Sequence, residues 1–360
     1  MRRIHLPCFI SAAALAWVLW ASRADAQRAP IPFRTRDPYQ GAIVVDAADG
    51  TVVFEDRADE LGYPASMLKL MDLLLILEDV ERQRLQWTDP VRVTAEAARI
   101  GGSQVYLAEG EVFTVEDLTY ALIIQSANDA AVALAIHIAG TVAAFVERMN
   151  AKARELGMSR TVFYSVHGLP PSAGQQPDVT TARDMSKLCL ALARRPDAFR
   201  FTRVPLRVLR EGTPKRFEMR THNNLLLSFP GCDGFKTGYF RLAGYSIAAT
   251  AQSEGARAIV VVLGSPTKEG RDTVARKLLA AGLATAKSRR PPAQSFPTVS
   301  TNTSATASAR TAQVTTTAIQ TAETPTSKLP SSRRRWWPWA LGAMVVVFLV
   351  VSYRRQQWGR

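Results

Sequence analysis

The stretch from Pro64 to Leu77 constrains the fold more than any other part of the chain. It begins Pro-Ala-Ser-Met-Leu-Lys, which places Ser66 three residues before Lys69, and a nearly unbroken apolar run from Leu70 to Leu77 follows. Residues three apart lie on one face of a helix, and the apolar run predicts that this helix is buried on most sides. A buried lysine loses hydration, which favours its neutral amine. A neutral amine beside a hydroxyl is a general base beside a nucleophile, although serine and lysine are both common on helices.

The net charge of the chain is concentrated at its two ends. The formal charge is +14 at pH 7, of which +2 falls before Gln27 and +10 falls from Lys287 onward, leaving +2 for residues 27–286. A nearly neutral body with basic ends does not predict a basic nucleic-acid-binding face. We therefore expect no nucleic acid among the partners.

The first 26 residues have the organisation of a secretory signal peptide. Arg2 and Arg3 precede an apolar run from Leu6 to Ala21, and the small-x-small tripeptide at 24–26 has the form of a cleavage site. An uncleaved N-terminal anchor is the alternative, which the shortness of the run disfavours. We expect residues 1–26 to be removed and the mature chain to work outside the cytoplasm.

Two cysteines, Cys189 and Cys232, remain once that segment is removed. In an oxidising compartment they could form a disulfide, but the sequence does not show whether they are close enough. Two separate thiols are equally compatible with the sequence. Two thiols are too few for a metal cage, and we expect no metal and no cofactor.

The order of the predicted elements indicates the fold class. Gly41–Asp46 and Thr51–Phe54 are β-branched runs around a turn that ends in Asp-Gly, which is typical of a hairpin. A mostly helical stretch follows, strand-like runs then return, and a last helix is predicted at Glu269–Leu283. We therefore expect a mixed α/β fold in which helices flank an antiparallel sheet and a helical lobe is inserted between the two groups of strands.

A second polar motif lies between two apolar helices. The turn Gln125–Asp129 contains Ser126 and Asn128, and the helix before it opens with a predicted N-cap at Thr114. A polar turn inside an apolar frame is commonly a functional site. A helix–helix corner capped by Ser126 or Asp129 is the structural alternative.

A third motif, Lys236-Thr237-Gly238, lies on a predicted edge strand. Glycine allows another backbone to approach, and an edge strand offers free N–H and C=O groups to an extended peptide. The lysine and threonine provide a cation and a hydroxyl for a carboxylate. Taken alone, the tripeptide is also compatible with a solvated strand end.

Together the three motifs resemble those of the penicillin-interacting serine enzymes, in the same order along the chain. The chain is most similar to the serine D-alanyl-D-alanine carboxypeptidases among the low-molecular-mass penicillin-binding proteins, over roughly residues 35–286. The resemblance implies a β-lactamase/transpeptidase-like fold. The matching stretches are Pro64–Lys69, Ile124–Ala130, Val166–Leu169, Asp233–Tyr239 and Gly244-Tyr245.

The resemblance implies a catalytic role for four motif residues. Ser66 would attack the carbonyl between two D-alanines of a peptidoglycan stem peptide and form an acyl-enzyme, while Lys69 would take the serine proton. Ser126 would relay a proton to the leaving amine. Asn128 would hold either the substrate amide or Lys69.

The resemblance assigns substrate binding to the strand motif. Lys236 and Thr237, followed by Gly238, would bind the terminal carboxylate of the stem peptide. The backbone N–H groups of Ser66 and Tyr239 would form an oxyanion hole.

Three other positions carry separate expectations. Arg271 matches an arginine that helps to hold the substrate carboxylate in relatives, with a solvated charge on the last helix as the alternative. His167 lies in a family-like turn but is assigned no catalytic role. Phe240 stands where relatives commonly have threonine, which makes the predicted mouth of the site more apolar.

The C-terminal part of the sequence predicts a linker and a membrane anchor. Residues 287–332 are rich in Ser, Thr, Ala and Gln, a composition that cannot bury a core, so the β-rich second domain of longer relatives is not expected. Residues 333–360 contain an apolar stretch at 336–353 between arginines, which predicts a transmembrane helix. We expect the catalytic domain, residues 27–286, to lie on the periplasmic face of the inner membrane.

The leading functional expectation is a D-alanyl-D-alanine carboxypeptidase with β-lactam antibiotics as covalent inhibitors. A D,D-endopeptidase acting on peptidoglycan cross-links and a non-catalytic wall-binding protein are the alternatives. A class A β-lactamase is not expected, because neither Glu147 nor Glu155 lies in the Glu-x-x-Leu-Asn context of a deacylating glutamate.

Overall fold

The computed structural model describes residues 32–172 and 174–290. The predicted signal peptide, the predicted anchor and residues 291–332 of the predicted linker lie outside the described residues. The described strands are β1 (Gly41–Asp46), β2 (Val52–Asp56), β3 (Pro90–Arg92), β4 (Val112–Thr114), β5 (Leu206–Leu209), β6 (Phe217–Arg220), β7 (Cys232–Phe240), β8 (Gly244–Ser253) and β9 (Ala256–Ser265).

The described helices lie mainly between β2 and β7. A 3₁₀ turn at Ala65–Leu68 leads directly into the first α-helix, and a π-helical turn at Ala121–Gln125 follows the third. The α-helices are α1 (Lys69–Glu81), α2 (Ala95–Arg99), α3 (Val115–Tyr120), α4 (Asn128–Ala139), α5 (Val142–Glu155), α6 (Ala182–Ala193), α7 (Pro196–Thr202), α8 (Leu225–Ser228) and α9 (Lys268–Ser288).

The main sheet has five antiparallel strands in the order β2-β1-β9-β8-β7. Side chains of β1 alternate between its two faces: Ile43 and Val45 join the core of the helical lobe, whereas Ala42 and Val44 pack in the core that contains α9. Because both faces are covered, β1 is buried along its whole length. The predicted fold, an antiparallel sheet flanked by helices with an inserted helical lobe, is confirmed.

Helix α1 is the centre of the lobe. Leu70, Met71, Leu73, Leu74 and Ile76 are all 0% exposed and belong to the larger core. Burying each of these side chains contributes roughly 1.5–3 kcal/mol to folding. The predicted buried helix after Ser66 is therefore confirmed, and its packing on all sides positions the residues at its start.

Threonine N-caps begin several of the helices. In each case the threonine hydroxyl accepts a hydrogen bond from the backbone N–H three residues later, which satisfies one of the free donors at the helix end. The predicted cap at Thr114 is confirmed by its bond from the N–H of Asp117. The others are Thr94, Thr141, Thr181 and Thr267.

Several elements differ from the sequence-based expectation. The small hairpins β3–β4 and β5–β6 stand apart from the main sheet, and α7 was not predicted. Helix α9 continues past Leu283 to Ser288, because Ala284 to Lys287 are mainly good helix formers. Residues 287 and 288 therefore belong to this helix rather than to the predicted linker. Cys189 and Cys232 are free thiols, so the structure contains no disulfide between them.

Among the described helices, no single one has both the length and the apolar character needed to cross a membrane. Helices α4 and α5 satisfy these criteria only as a pair, and they are bent by 86° relative to each other.

Candidate active site

Ser66 lies in the 3₁₀ turn that precedes α1, on the wall of a cleft of about 410 Å³. The residue before it, Ala65, has a φ of +46°, a left-handed conformation that is uncommon for a residue with a side chain. The turn at Gly168 packs so closely here that a Cβ on this glycine would lie 2.2 Å from the Ala65 carbonyl oxygen. Close packing therefore holds the backbone that presents Ser66.

Lys69 is 0% exposed and occupies the first position of α1. Its Nζ lies 3.1 Å from Ser66 Oγ, 2.8 Å from Asn128 Oδ1 and 2.7 Å from the backbone oxygen of His167. The predicted pairing of the serine and lysine is therefore present in the structure. Of the two roles predicted for Asn128, the structure shows the contact with Lys69.

The three partners of Lys69 determine where the lone pair of a neutral amine points. A neutral amine has two N–H donors and one lone pair, whereas a carbonyl oxygen can only accept. Asn128 is held with Oδ1 towards the lysine because its Nδ2 donates to the Gly101 carbonyl at 2.7 Å. Only the Ser66 hydroxyl can therefore donate to the lone pair, which orients the amine as a base towards the nucleophile.

Electrostatics favour this neutral amine near physiological pH. Burial lowers the pKa of Lys69 to about 7, and the carboxyl groups of Asp72, Asp178 and Asp129 limit the decrease. The neutral amine is therefore accessible near neutral pH, where an ordinary lysine is fully protonated. Burial of the His167 ring and, to a smaller extent, the nearby Lys69 charge lower the pKa of His167 to about 4.

Ser126 reaches the cleft from an unusual backbone turn. The π-helical turn ends at this residue, which has a φ of +62°. Its hydroxyl is buried, lines the cleft and has no hydrogen-bond partner among residues 32–172 and 174–290. The N-cap of α4 is Ala127, so the structural alternative, a cap formed by Ser126 or Asp129, is wrong.

A loop at 101–107 holds this turn in place. The backbone N–H of Asn128 donates to the Ser103 carbonyl at 2.8 Å. A Cβ at Gly102, whose φ is +80°, would lie 2.6 Å from Asn128 Nδ2. The buried carboxylate of Asp129 accepts from the backbone N–H groups of Val105 and Leu107. The polar turn is thus fixed by hydrogen bonds at Asn128 and at Asp129.

The third motif lies on β7, which is the edge strand of the sheet as predicted. A Cβ at Gly238 would lie 2.4 Å from the Pro64 carbonyl oxygen, so the missing side chain lets this strand approach the turn that carries Ser66. Lys236 is 3% exposed, and its Nζ donates to the Thr237 carbonyl at 3.1 Å. Burial first, and then the Lys69 and Arg271 charges, hold the pKa of Lys236 well below its usual range.

Two cationic side chains line the same cleft, Lys268 and Arg271, and no aspartate or glutamate does so among the described residues. His222 also lines it but is neutral, because burial and the nearby cations lower its pKa to about 4. Arg271 is only 3% exposed and pairs with Asp272 at 2.6 Å, so it is not the solvated charge considered as the alternative. This distribution of charge favours an anionic ligand.

Aromatic rings form the mouth of the cleft. Tyr239 stacks on Tyr245 with ring centroids 4.2 Å apart, and Phe240 stacks on Tyr63 at 5.5 Å. Tyr239, Phe240 and Tyr245 all line the cleft, so the mouth is apolar, as expected from Phe240.

Sequence reasoning missed two groups beside Lys69. One is the His167 backbone carbonyl, whereas the His167 imidazole accepts a hydrogen bond from the N–H of Leu169 within its own turn. The other is Asp72, visible in the sequence as the acidic residue that interrupts the apolar run of α1. In the described part of the chain, no three His, Cys, Asp or Glu side chains are grouped in a way that could hold a metal ion.

Fold and site are those of a serine-type peptidase, and the comparisons identify the family. The family model described as D-alanyl-D-alanine carboxypeptidase matches residues 37–267. The chain therefore belongs to the D-alanyl-D-alanine carboxypeptidase family, and the predicted resemblance is confirmed.

Two curated relatives match at 36% identity, each over 67% of this chain. They are the D-alanyl-D-alanine carboxypeptidases DacF of Bacillus subtilis, aligned over 240 residues, and DacC of Escherichia coli, aligned over 248. The alignments cover 61% and 60% of those proteins, so this chain spans about three-fifths of the length of the curated relatives it matches.

Solved structures support the same fold. Penicillin-Binding Protein D2 of Listeria monocytogenes, in its ampicillin-bound form, matches with a TM-score of 0.61 and 32% identity, covering 68% of this chain and 97% of that one. The carboxypeptidase DacD of Francisella tularensis matches with a TM-score of 0.64 and 26% identity, covering 76% and 75%. The fold is therefore that of the penicillin-binding D,D-carboxypeptidases.

Proposed function

We propose that this protein is a membrane-anchored serine D,D-carboxypeptidase that removes the terminal D-alanine from peptidoglycan stem peptides. The observation that carries the proposal is the set of contacts around Lys69: a buried amine with two pure acceptors and one hydroxyl within 3.1 Å. This geometry activates Ser66 at a pH near neutrality. The curated relatives of the family, which carry the same activity in their names, support the choice of reaction.

Acylation of Ser66 begins the reaction. The Ser66 hydroxyl transfers its proton to the Lys69 amine while Oγ forms a bond to the carbonyl carbon between the two D-alanines. The carbonyl oxygen becomes an oxyanion, which the backbone N–H groups of Ser66 and Tyr239 stabilise by hydrogen bonds. The C–N bond then breaks and leaves the acyl group on Ser66.

The leaving D-alanine needs a proton on its amine. The Ser126 hydroxyl, which lines the cleft and has no partner within the described residues, donates that proton and recovers one from the Lys69 ammonium. Water then attacks the acyl-enzyme, with Lys69 again as the base. The products are free D-alanine and the shortened stem peptide.

Recognition of a terminal carboxylate distinguishes a carboxypeptidase from other enzymes that use the same acyl-transfer chemistry. Lys236 and Thr237 lie beside Ser66 through the close approach at Gly238, and Arg271 lines the same cleft. Because no acidic side chain of the described chain lines the cleft, a carboxylate entering it meets only favourable charges.

The proposed location follows from the sequence. A signal peptide at 1–26 and a transmembrane helix at 336–353 would anchor the domain at the periplasmic face of the inner membrane, where stem peptides lie. β-Lactam antibiotics would acylate Ser66 as substrate mimics. The ampicillin-bound form of the related Listeria monocytogenes protein supports this inhibitor class.

Product analysis tests the proposed reaction. The purified protein is incubated with a pentapeptide muropeptide and, separately, with a cross-linked muropeptide dimer, and the products are identified by mass spectrometry. A carboxypeptidase releases one D-alanine from the pentapeptide and leaves the cross-link of the dimer intact. Ser288→Ala, a change at an exposed serine at the end of α9, should act like the native protein.

Two results would contradict the proposal. Cleavage of the dimer into monomers in preference to D-alanine release would indicate an endopeptidase. Binding of both muropeptides without any product would indicate a non-catalytic wall-binding protein.

A further inference from the structure

Of the three groups that the described residues place around Lys69 Nζ, the His167 carbonyl alone lies outside a helical element. Ser66 belongs to the 3₁₀ turn and Asn128 to α4, whereas His167 lies in the loop 164–169, between α5 and α6. Its contact of 2.7 Å is nevertheless the shortest of the three. A loop carbonyl keeps its direction only where other contacts hold its peptide unit, so those contacts bear on the orientation of the base.

Asp178 holds the start of this loop. The antiparallel bridge between Val162 and Val179 brings it opposite the chain that follows Val162. Its Oδ1 accepts the backbone N–H groups of Tyr164 at 2.6 Å and of Ser165 at 3.0 Å, and its Oδ2 bonds the Ser165 hydroxyl at 2.7 Å. Asp178 is 7% exposed, and these three bonds compensate for the burial of its carboxyl group.

The Ser165 hydroxyl extends this support to the far side of the loop. Its Oγ accepts the backbone N–H of Gly168 at 3.0 Å. That N–H and the His167 carbonyl belong to the same peptide unit, which is planar and trans, so its N–H and C=O point in opposite directions. Because the N–H is held towards Ser165, the carbonyl is aimed at Lys69.

We propose that Asp178 and Ser165 are positioning residues: their chain of hydrogen bonds holds the 167–168 peptide unit so that its carbonyl is aimed at Lys69. The inference rests on the proposed function, since it concerns the amine that takes the serine proton. With one N–H of the neutral amine committed to this carbonyl and the other to Asn128, the lone pair is left for the serine hydroxyl. Without the chain, the peptide unit is free to turn, and the amine loses one of the two acceptors that orient it.

The chain is the same whether Asp178 is ionised or protonated. Burial raises the pKa of its carboxyl group, and the hydrogen bonds from Tyr164 and Ser165 oppose that rise. A carboxylate accepts all three bonds, whereas a carboxylic acid accepts both N–H groups at Oδ1 and donates from Oδ2 to Ser165 Oγ. In both states the Ser165 oxygen can accept the Gly168 N–H, so the chain requires no charge on Asp178.

Asp178→Ala and Asp178→Asn separate positioning from charge. Alanine removes the first link of the chain, whereas the asparagine amide oxygen accepts the two N–H groups and its NH₂ group donates to Ser165 Oγ. Acylation by saturating fluorescent penicillin is followed at pH 9, above the Lys69 pKa of about 7, which the loss of a nearby acid can only lower, so the amine is neutral in every variant. The acylation rate should fall about 10- to 100-fold in Asp178→Ala protein, with the Kd for penicillin little changed, and stay within about threefold of native in Asp178→Asn protein.

Ser165→Ala breaks the chain at its middle link and serves as the milder variant if Asp178→Ala protein does not fold. Asp178 keeps its two backbone bonds, but the Gly168 N–H loses its acceptor, so the acylation rate should fall about tenfold. Because both residues act through one peptide unit, the double variant should be no more than about twofold slower than Asp178→Ala protein. Losses that multiply would show two independent effects and would overturn the chain.

Asn150→Ala provides the matched control. Asn150 holds the residue just before the loop, because its Oδ1 accepts the N–H of Phe163 at 2.9 Å and its Nδ2 donates to the Phe163 carbonyl at 2.8 Å. The variant removes a comparable set of hydrogen bonds but leaves those of the loop 164–169 in place. It should lower the unfolding temperature and leave the acylation rate at its native value.

Three kinetic results would overturn the inference. A native acylation rate in both alanine variants, Asp178→Ala and Ser165→Ala, would show that the chain does not orient the base. An Asp178→Asn rate as low as that of Asp178→Ala protein would assign the effect to charge. Equal slowing in Asn150→Ala protein would assign it to a general weakening of the packing.

Hydrogen exchange at the Gly168 amide, followed by NMR, tests the chain without the reaction. This N–H should be protected in the native and Asp178→Asn proteins and should exchange faster in Ser165→Ala protein, which lacks its acceptor. Equal exchange in all three would overturn the chain. Complete absence of acylation in native protein that shows the expected exchange pattern would overturn the proposed function and leave the chain in place.

Discussion

Two lysines next to residues that line the cleft, Lys69 and Lys236, are almost equally buried but have opposite surroundings. Lys69 is 0% exposed and has three hydrogen-bond partners and three acids near it. Lys236 is 3% exposed, donates only to the Thr237 carbonyl among the described residues, and lies near two cations, Lys69 and Arg271. Burial lowers the pKa of both, but the acids hold that of Lys69 at about 7, whereas the cations lower that of Lys236 further.

The difference shows how one residue type serves two purposes. An amine whose pKa lies near neutrality and whose lone pair points at a hydroxyl is suited to proton transfer. An amine surrounded by cations is suited to an anionic ligand, because that ligand supplies the missing negative charge. We therefore assign proton transfer to Lys69 and carboxylate binding to Lys236.

The largest expected effect comes from removing the Lys69 amine. Lys69→Met keeps an unbranched side chain of similar length without a base, and the acylation rate by penicillin should fall by about 10²- to 10⁴-fold. The acylation rate of Lys69→Arg protein should fall comparably, because a guanidinium does not give up its proton. Stopped-flow or fluorescent-penicillin kinetics measure the rate. A rate within threefold of the native value in either variant would contradict the assignment of the base.

Removing the Lys236 amine should have a smaller and more selective effect. Lys236→Met loses a hydrogen bond to a charged group, about 1.5–3 kcal/mol, so kcat/KM for a peptide ending in D-alanine should fall about 10- to 150-fold. The comparison substrate is the same peptide with a C-terminal amide, which lacks the carboxylate and should be affected little. An equal loss of kcat/KM for both peptides would show that Lys236 does not bind the carboxylate.

The protonation of Lys236 should change when the carboxylate binds. In the free cleft its pKa lies well below the usual range, and a bound carboxylate raises that pKa. Between the free and bound pKa values the complex takes up a proton, and the affinity falls about tenfold for each unit of rising pH. Calorimetry of a D-alanine-terminated peptide with Ser66→Ala protein, in buffers of different ionisation enthalpy, measures this uptake. Lys236→Met protein should show none, and equal uptake in that variant would assign the proton elsewhere.

Arg271 should have the smallest effect of the cationic residues. Its guanidinium already pairs with Asp272, so less of its charge is available to a ligand. Arg271→Leu should raise KM about fivefold, on the order of 1 kcal/mol, with kcat nearly unchanged. A change in kcat larger than the change in KM would show that Arg271 acts on the reaction itself.

Much of the fold was predictable because its signals are local. The hairpin β1–β2, the cap at Thr114 and the edge strand β7 were all predicted from residues adjacent in the sequence. The three-residue strands β3 and β4 were not, since a strand this short is defined by pairing rather than by alternation of side chains. The π-helical turn before Ser126 was also missed, because apolar periodicity does not distinguish it from an α-helix.

The site divides in the same way. Ser66, Lys69 and Asn128 belong to the sequence motifs, so the contacts that Lys69 makes with the other two side chains could be predicted once the resemblance was recognised. The His167 group that accepts from Lys69 is a backbone carbonyl, which every residue has and no sequence pattern reveals. Asp72 is visible in the sequence, but its lack of partners depends on how distant segments pack around α1.

The most direct test of Ser66 as the nucleophile is the site of covalent attachment of benzylpenicillin. The native protein is incubated with the antibiotic and digested, and the modified peptide is identified by mass spectrometry. We expect one adduct of intact penicillin mass on Ser66, absent in Ser66→Ala protein and formed far more slowly in Lys69→Met protein. An adduct on another residue, or one that persists in the Ser66→Ala protein, would contradict it.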